Sequence, residues 1–338
     1  MKAWRLKEPG QISLDEIESQ PVGESCIKIK ILYCPLTASD RLLFKGAITA
    51  EYPLILGRGA SGMVVETGSE VKGFARGDTV VVKPRCGCGA CGKCNEGRVF
   101  ECENPLTFGL TEDGLLRDFA IVSAHDVVKL PERMGAKDAT FIDLIDIAIE
   151  TVSRLKLDKG QSLVIAGATE LGMILSQVAI YYQIIPILTD VNPAFLDIAA
   201  ALGVYYTVKS AEVDAKKRIF ALTGGRMADA AAYMTASDYP LNVVFDYVKR
   251  GAGVAICGYE KTRADVLINL AALHNKRLNV TGIAEGNNNL SSAVNMLVNR
   301  TVSVERLCGA EISFDRVGAE LLREIGPQTV YLKTLVKV

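Results

Sequence analysis

The sequence predicts an α/β protein in which a β-rich domain is interrupted by a second domain built on a doubly wound parallel sheet. Three observations predict it. The chain has 338 residues, enough for about two domains at roughly 100–200 residues each. Its first third carries short β-branched runs and few helix signals. From about residue 148 onward, apolar strand runs alternate with helical patterns, which marks βαβ units.

Ile27 to Leu32 reads Ile-Lys-Ile-Lys-Ile-Leu, the alternation of a half-buried strand. Gly62–Thr67 and Asp78–Lys83 are short, β-branched and bounded by Gly or Asp, as strands are. Ala136-Lys137-Asp138-Ala139 opens a helical stretch running to about Leu157. After Gly160 come a buried-strand run, Ser162–Ala166, a glycine turn, and a helical pattern from Leu171 to Tyr182. Ile184–Leu188 is the next strand, ending at Thr189-Asp190, and Pro193–Leu202 the next helix. Later strands are expected at Ala228–Ala232, Gly253–Cys257 and Leu278–Gly282, and a last one at Val330–Val338. The expected domains are residues 1–147 with 286–338, and residues 148–285 between them.

Lys plus Arg is 38 and Asp plus Glu is 39, a formal net charge of −1. That balance gives no general drive toward nucleic acid or an anionic membrane. No apolar run approaches the ~18–20 residues that span a bilayer, and Met1–Lys7 has no apolar stretch behind its charges. The expected location is the cytoplasm, and the expected partner a small-molecule substrate.

Five of nine cysteines, Cys86, Cys88, Cys91, Cys94 and Cys102, are clustered. In an intracellular chain such clustering points to metal before disulfides. Cys88-x2-Cys91-x2-Cys94-x7-Cys102 supplies four thiolates, which fill the tetrahedral preference of zinc and leave no open position. One structural zinc per chain is expected, in a lobe at about 86–103. Lys93 and Arg98 are placed to offset thiolate charge, and Cys86 is left over as a spare thiol.

Gly167-Ala168-Thr169-Glu170-Leu171-Gly172 lies between a strand and a helix, the setting in which a diphosphate meets free N–H groups. Thr169 stands where a second glycine is usual, and its side chain either crowds the pyrophosphate or donates to it. Asp190 ends the next strand, where a carboxylate accepts from both ribose hydroxyls and repels a 2′-phosphate. Val191 and Asn192 follow with no Arg to receive that phosphate, so NAD(H) is expected over NADP(H). A βαβ unit that binds no nucleotide is the other reading of the turn alone.

Further runs complete the pattern: Pro53-Leu54-Ile55-Leu56-Gly57, Gly62–Gly68, Val71-Lys72-Gly73-Phe74 with Gly77-Asp78, Thr223-Gly224-Gly225-Arg226 with Asp229, and Gly251–Gly258. With the cysteine lobe and the 167–172 turn, they make the chain resemble the medium-chain dehydrogenase/reductase superfamily, in its zinc-containing alcohol, polyol and threonine dehydrogenase branch. The resemblance covers nearly the whole chain. It implies a GroES-like catalytic domain and a Rossmann domain with nicotinamide in the cleft between them. It also implies a homodimer or homotetramer built through the cofactor-domain sheets, with the Gly282–Leu290 segment near that junction or plain surface. Ser39 sits where the family relays protons, and Asp40 where it shapes the site without binding substrate.

The catalytic zinc pattern of the family is not kept. In Thr37-Ala38-Ser39-Asp40, Thr37 holds the place of a ligating Cys. In Gly57-Arg58-Gly59, Arg58 holds the place of a His and Gly59 that of a Glu. The third ligand position falls at Asp143, or at Asp146. A threonine, a cation and one carboxylate do not make an ordinary zinc site. The two histidines, His125 and His274, fall in segments that read as structural, and Cys34 is either a displaced ligand or a buried core cysteine.

Arg58 then offers a positive charge and fixed donors to a substrate oxygen, with Asp143 placed to orient it, or else it merely closes the vacated site. The expected function is a zinc-independent NAD(H) oxidoreductase acting on a carbonyl or activated double bond. Two other readings are a redox-neutral cycle on bound NAD that ends in elimination or epimerisation, and a non-catalytic ligand-binding or redox-sensing descendant. Leu42, Leu43, Tyr52 and Phe108 are candidates to line the substrate site.

Overall fold

A computed structural model describes residues 1–96, 98, 101–234, 241–257, 267–286, 289–323 and 332–338. The chain divides into two units. The first holds Met1–Phe141, the stretch starting at Cys308, and Lys333–Val338; the second holds Ile142–Leu307.

In the first unit, Cys26–Leu36 is the central long strand of a seven-stranded sheet. Its path runs Val127–Lys129, Thr79–Val82, Ala60–Thr67, Cys26–Leu36, Lys333–Lys337, Cys308–Ser313, with Phe119–Ser123 also pairing to Cys26–Leu36. The Ile-Lys alternation does what a period of two requires. Ile27, Ile29 and Ile31 are fully buried in the core with Val64, Val80 and Ala120. The C-terminal strand Lys333–Lys337 lies antiparallel to Cys26–Leu36. A smaller sheet joins Gln11–Glu16, Lys2–Glu8 and Leu54–Ile55. A two-stranded ribbon, Arg85–Cys86 with Leu106–Thr107, closes the base of the cysteine lobe.

The second unit is a six-stranded sheet in which every described pairing is parallel. Its order is Tyr206–Lys209, Ile185–Asp190, Ser162–Ala166, Ala228–Tyr233, Val248–Cys257, Asn279–Ile283. The chain thus starts in the middle, walks to one edge, returns and walks to the other. The order reverses between Ser162–Ala166 and Ala228–Tyr233, the place where open α/β sheets bind ligands beyond their carboxyl ends.

The expected helix from Ala136 to Leu157 is two helices, Ala136–Ala139 and Ile142–Leu155. Thr140 and Phe141 break it. Phe141 is buried, Thr140 Oγ1 donates to the Lys137 carbonyl, and Lys333 Nζ takes the Thr140 carbonyl. The unit boundary falls at this break rather than at 147/148, because Ile142–Leu155 packs on Glu170–Tyr181 and Leu290–Val298 of the second unit. The return falls at 307/308 rather than 285/286 for the same reason: Leu290–Val298 belongs to that packing. Gly258, Asn287, Asn288, Val330 and Tyr331 of the expected motifs and strand lie outside the described residues.

Candidate active site

Thr37 is the N-cap of the helix Ala38–Phe44. Its hydroxyl donates to Asp40 Oδ2 at 2.6 Å, its N–H donates to the same oxygen at 2.8 Å, and Asp40 N–H returns a bond to Thr37 Oγ1 at 3.4 Å. This is a reciprocal capping box, with Asp in place of the usual Glu. Asp40 is fully buried, and its other oxygen accepts from Gly57 N–H at 2.9 Å. One carboxylate therefore ties the helix carrying Ser39 to the turn carrying Arg58. Gly57 has φ +96°, and a Cβ there would lie 2.7 Å from Leu116 N and 2.8 Å from Cys34 Sγ, so the turn requires glycine.

Across this turn Arg58 Nη1 donates to Ser39 Oγ at 3.1 Å. Ser39 is buried, whereas Arg58 is half-buried with its Nε–H shielded from water and without a partner among the described residues. Cys34 is fully buried, with Sγ 3.4 Å from the Gly59 carbonyl. Burial first, and the Asp40 carboxylate second, push its thiol well above the usual range. Cys34 joins no group of three or more possible metal ligands among the described residues and sits in the hydrophobic core. Leu43 is core, and Tyr52 and Phe108 pack against that core; the Tyr52 hydroxyl is buried without a partner among the described residues.

Asp143 stands in the first turn of Ile142–Leu155, half-buried, in the second unit. Asp146, one turn further, is buried and accepts from Asn289 N–H at 3.0 Å and Asn289 Nδ2 at 3.1 Å. It holds the start of the helix Leu290–Val298 in place.

The glycine turn closes tightly over the first strand of the parallel sheet. Gly167 has φ +113°, and a Cβ on Gly172 would sit 2.1 Å from the Gly167 carbonyl oxygen. Thr169 N-caps the helix Glu170–Tyr181, its hydroxyl accepting from Gly172 N–H at 3.2 Å. Glu170 and Leu171 form the first turn of that helix, Glu170 half-buried and Leu171 buried. Asp190 reaches back to the turn, with Oδ2 accepting from Ala168 N–H at 2.7 Å and Oδ1 from Asn192 N–H at 2.8 Å.

In the lobe, one ligand atom from each of Cys88, Cys91, Cys94 and Cys102 lies within 4.8 Å of all the others. Cys91 Sγ and Cys102 Sγ are 3.8 Å apart, which matches the edge of a tetrahedron with Zn–S of about 2.3 Å. Backbone N–H groups of Glu103 and then Cys94 pull the Cys91 thiol down to about 6, whereas burial pushes the Cys94 thiol up to about 12; it is the geometry of the four sulfurs that points to metal. The four residues fit a structural zinc. They are also the one group of three or more possible metal ligands among the described residues. Lys93 pairs with Glu101, and Arg98 with Glu96 and Glu101, so these cations are shared with carboxylates. Cys86 stays outside the cluster, buried in the ribbon at the lobe's base. His125 and His274 are both exposed and join no metal-ligand group among the described residues.

The chain matches two family models, the alcohol dehydrogenase GroES-like domain over residues 23–132 and zinc-binding dehydrogenase over residues 171–299. It belongs to the zinc-type dehydrogenase branch of the medium-chain dehydrogenase/reductase superfamily. It is similar to an uncharacterized zinc-type alcohol dehydrogenase-like protein of Haemophilus influenzae, at 27% identity over 94% of this chain and 93% of that protein. A sorbitol dehydrogenase of Bacillus subtilis is 24% identical over 99% of this chain and 97% of that protein. Among solved structures, an Escherichia coli oxidoreductase/dehydrogenase of unknown specificity superposes with TM-score 0.92 at 20% identity, covering 99% of this chain and 98% of that one.

Within this dehydrogenase, three contacts escaped sequence reasoning. The Thr37–Asp40 box was present as a threonine followed three residues later by an acid, a readable capping signal. The Asp190–Ala168 bond joins residues on different strand ends, and no local pattern announces it. Lys209 is the in-register partner of Asp190, in the short edge strand Tyr206–Lys209 that the hydropathy pattern did not reveal.

Proposed function

We propose that this dehydrogenase transfers hydride between NAD(H) and a carbonyl or activated double bond of a small molecule, without a catalytic zinc. The family activity is NAD(P)-dependent oxidoreduction; the finer reading rests on one contact, the hydrogen bond from Arg58 Nη1 to Ser39 Oγ. Position 37 offers a hydroxyl already committed to Asp40, and position 58 offers a guanidinium. Neither is a zinc donor.

In this reading the cofactor, when bound, supplies or receives the hydride, and the chain's own residues handle charge and protons. Among the described residues, Arg58 keeps a buried Nε–H without a partner. An unmet buried donor costs about 1–3 kcal/mol, which a substrate oxygen facing it recovers. A preorganised cation stabilises the oxyanion more than the neutral carbonyl, so the gain falls in the transition state. Ser39 Oγ accepts from Arg58, which places its hydroxyl to relay to the developing alkoxide a proton that solvent supplies to Ser39 in turn. Thr37 and Asp40 act as positioning residues, fixing the helix and the turn against each other. Asp143 belongs to the same proposal through its place in the family pattern. On the cofactor side, Thr169 accepts from Gly172 N–H and keeps its own O–H to donate to a diphosphate. Asp190 has lone pairs left for the ribose hydroxyls and favours NAD(H).

The test is NADH oxidation against a panel of ketones, aldehydes and enones, with the wild type and Arg58→Ala side by side. The reading expects turnover on at least one carbonyl or enone class, and its loss in the variant. Full turnover in Arg58→Ala would falsify it.

A further inference from the structure

The amino ends of the parallel strands carry a concavity of their own. The strand Val248–Cys257 is irregular where it meets Ala228–Tyr233: Ala228 pairs with Val248 but Ala230 with Gly253, so the residues between them bulge out of the ladder. Gly251 takes φ +79° in that bulge, next to Arg250. Bulges re-aim side chains and recur beside binding sites. On the neighbouring strand Asn279 pairs with Gly253, and just ahead of it Arg277 closes the helix Leu270–Lys276 at φ +51° and ψ +49°. That left-handed closing position favours glycine, yet it holds an arginine, fixed by its N–H bond to the His274 carbonyl at 3.0 Å. Two backbone irregularities thus bring Arg250 and Arg277 to one cavity of about 610 Å³, whose other walls are Leu273, His274, Asn275 and Leu278. Neither guanidinium has an ionic or hydrogen-bonding partner among the described residues, whereas the cations around them do. Lys249 pairs with Asp229 at 2.6 Å and Lys216 with Asp246 at 3.6 Å, and Lys276 Nζ donates to the Phe245 and Val248 carbonyls at 2.7 and 3.0 Å. Asp229 and Asp246 are therefore already matched, and the charges of Arg250 and Arg277 stay uncompensated.

We propose that this cavity is a binding site for a small organic phosphate, at the opposite end of the sheet from the Gly167–Gly172 turn. The planar fork of a guanidinium matches two phosphate oxygens at once. A phosphate monoester carries about −1.5 to −2 charge at pH 7, which two guanidiniums neutralise and which a monocarboxylate would leave half unmet. His274 Nδ1 meets Asn275 Oδ1 at 3.3 Å, which orients the ring in the cavity wall. Leu278 is buried and Leu273 half-buried, so the polar rim stands over an apolar floor. The cavity falls in the range of about 300–1,000 Å³ usual for small-molecule sites, more than a bare phosphate fills. The apolar floor therefore takes the organic part of the ester. The site is independent of the Arg58 reading and of the cofactor turn, since it shares no residue with either.

The experiment is calorimetric titration of the full-length protein with phenyl phosphate, inorganic phosphate and benzoate, each with and without excess NADH. Phenyl phosphate is expected to bind once per chain, with the same Kd whether or not NADH is present. It should bind about tenfold or more tighter than inorganic phosphate or benzoate, because it alone brings both the double charge and an apolar body. Arg277→Gly, which the left-handed backbone accepts, and Arg250→Gln are each expected to raise the Kd of phenyl phosphate by about tenfold or more, with NADH binding unchanged. No binding of phenyl phosphate up to about 10 mM overturns the proposal, that limit being far weaker than an ordinary ligand site. Binding that NADH abolishes places the phosphate in the cofactor turn and overturns it too. A Kd that either variant leaves unmoved does the same, and if Arg277→Gly then changes only the melting temperature, Arg277 serves the helix end alone.

Discussion

The Arg58 guanidinium and the Ser39 hydroxyl meet at 3.1 Å, each delivered by a different element, and the Asp40 carboxylate holds those elements together. In the proposed reading, this pair is the cation and proton carrier that stand in for a catalytic metal. Arg58→Ala is expected to lower kcat on the best carbonyl substrate by about 10²–10³-fold, the range for loss of an oxyanion donor. Arg58→Lys should recover part of it, as charge returns without the fork of donors. Steady-state kinetics decide this, and an effect confined to KM would mean that Arg58 only binds.

Thr37→Val removes both the donor to Asp40 Oδ2 and the acceptor for Asp40 N–H. Loss of an N-cap costs about 1–2 kcal/mol, and Asp40 is buried, so the upper end is expected. Chemical denaturation should show that loss, with Thr37→Ser close to wild type. Equal stability of all three proteins would contradict the structural role given to Thr37.

Gly172→Ala places a methyl 2.1 Å from the Gly167 carbonyl oxygen. Both sides are backbone, so the turn must open. NADH affinity is expected to fall by about tenfold or more, measured by fluorescence titration. A variant that binds NADH like the wild type would remove the turn from the cofactor site.

Asp229 accepts from Ser162 N–H at 2.7 Å and Ser162 Oγ at 2.9 Å, and pairs with Lys249 Nζ at 2.6 Å. Burial raises its pKa, but the Lys249 bond and the two Ser162 donors outweigh it, and the carboxyl titrates below the usual range. A folded pKa below the unfolded value of about 3.9 gives stability that is present above that value and lost as pH falls through the folded one. Asp229→Asn should therefore cost stability at pH 7, and the difference from wild type should shrink as pH falls below the unfolded value of about 3.9. Thermal melts from pH 3 to pH 7 check the sign; a gap that widens in acid would refute it.

Much of this was legible in the residues themselves. Ser162–Ala166 is the strand its apolar run announces, because a strand buried on both faces leaves a continuous signal. The Cys88–Cys102 spacing marks the lobe because four thiolates at short intervals have few other uses. Arg58 and Thr37 were visible as replacements, but their contacts were not, since the Arg58–Ser39 and Asp40–Gly57 bonds depend on a helix and a turn brought together by the fold. The break at Thr140–Phe141 was hidden for the same reason: Lys333, far along the chain, takes the Thr140 carbonyl. Lys209 illustrates the limit most plainly. Its neighbour Asp190 lies 19 residues earlier, and only strand register joins them.

The central claim is that charge from Arg58 replaces a catalytic metal while the cysteine lobe keeps its own. Zinc per chain, measured by elemental analysis on protein purified without added metal, tests it most directly. The account predicts about one zinc per chain, abolished together with the lobe by Cys91→Ser and untouched by Arg58→Ala. About two per chain, with one lost on changing Thr37 or Asp143, would contradict it and return the site to metal-assisted alcohol oxidation.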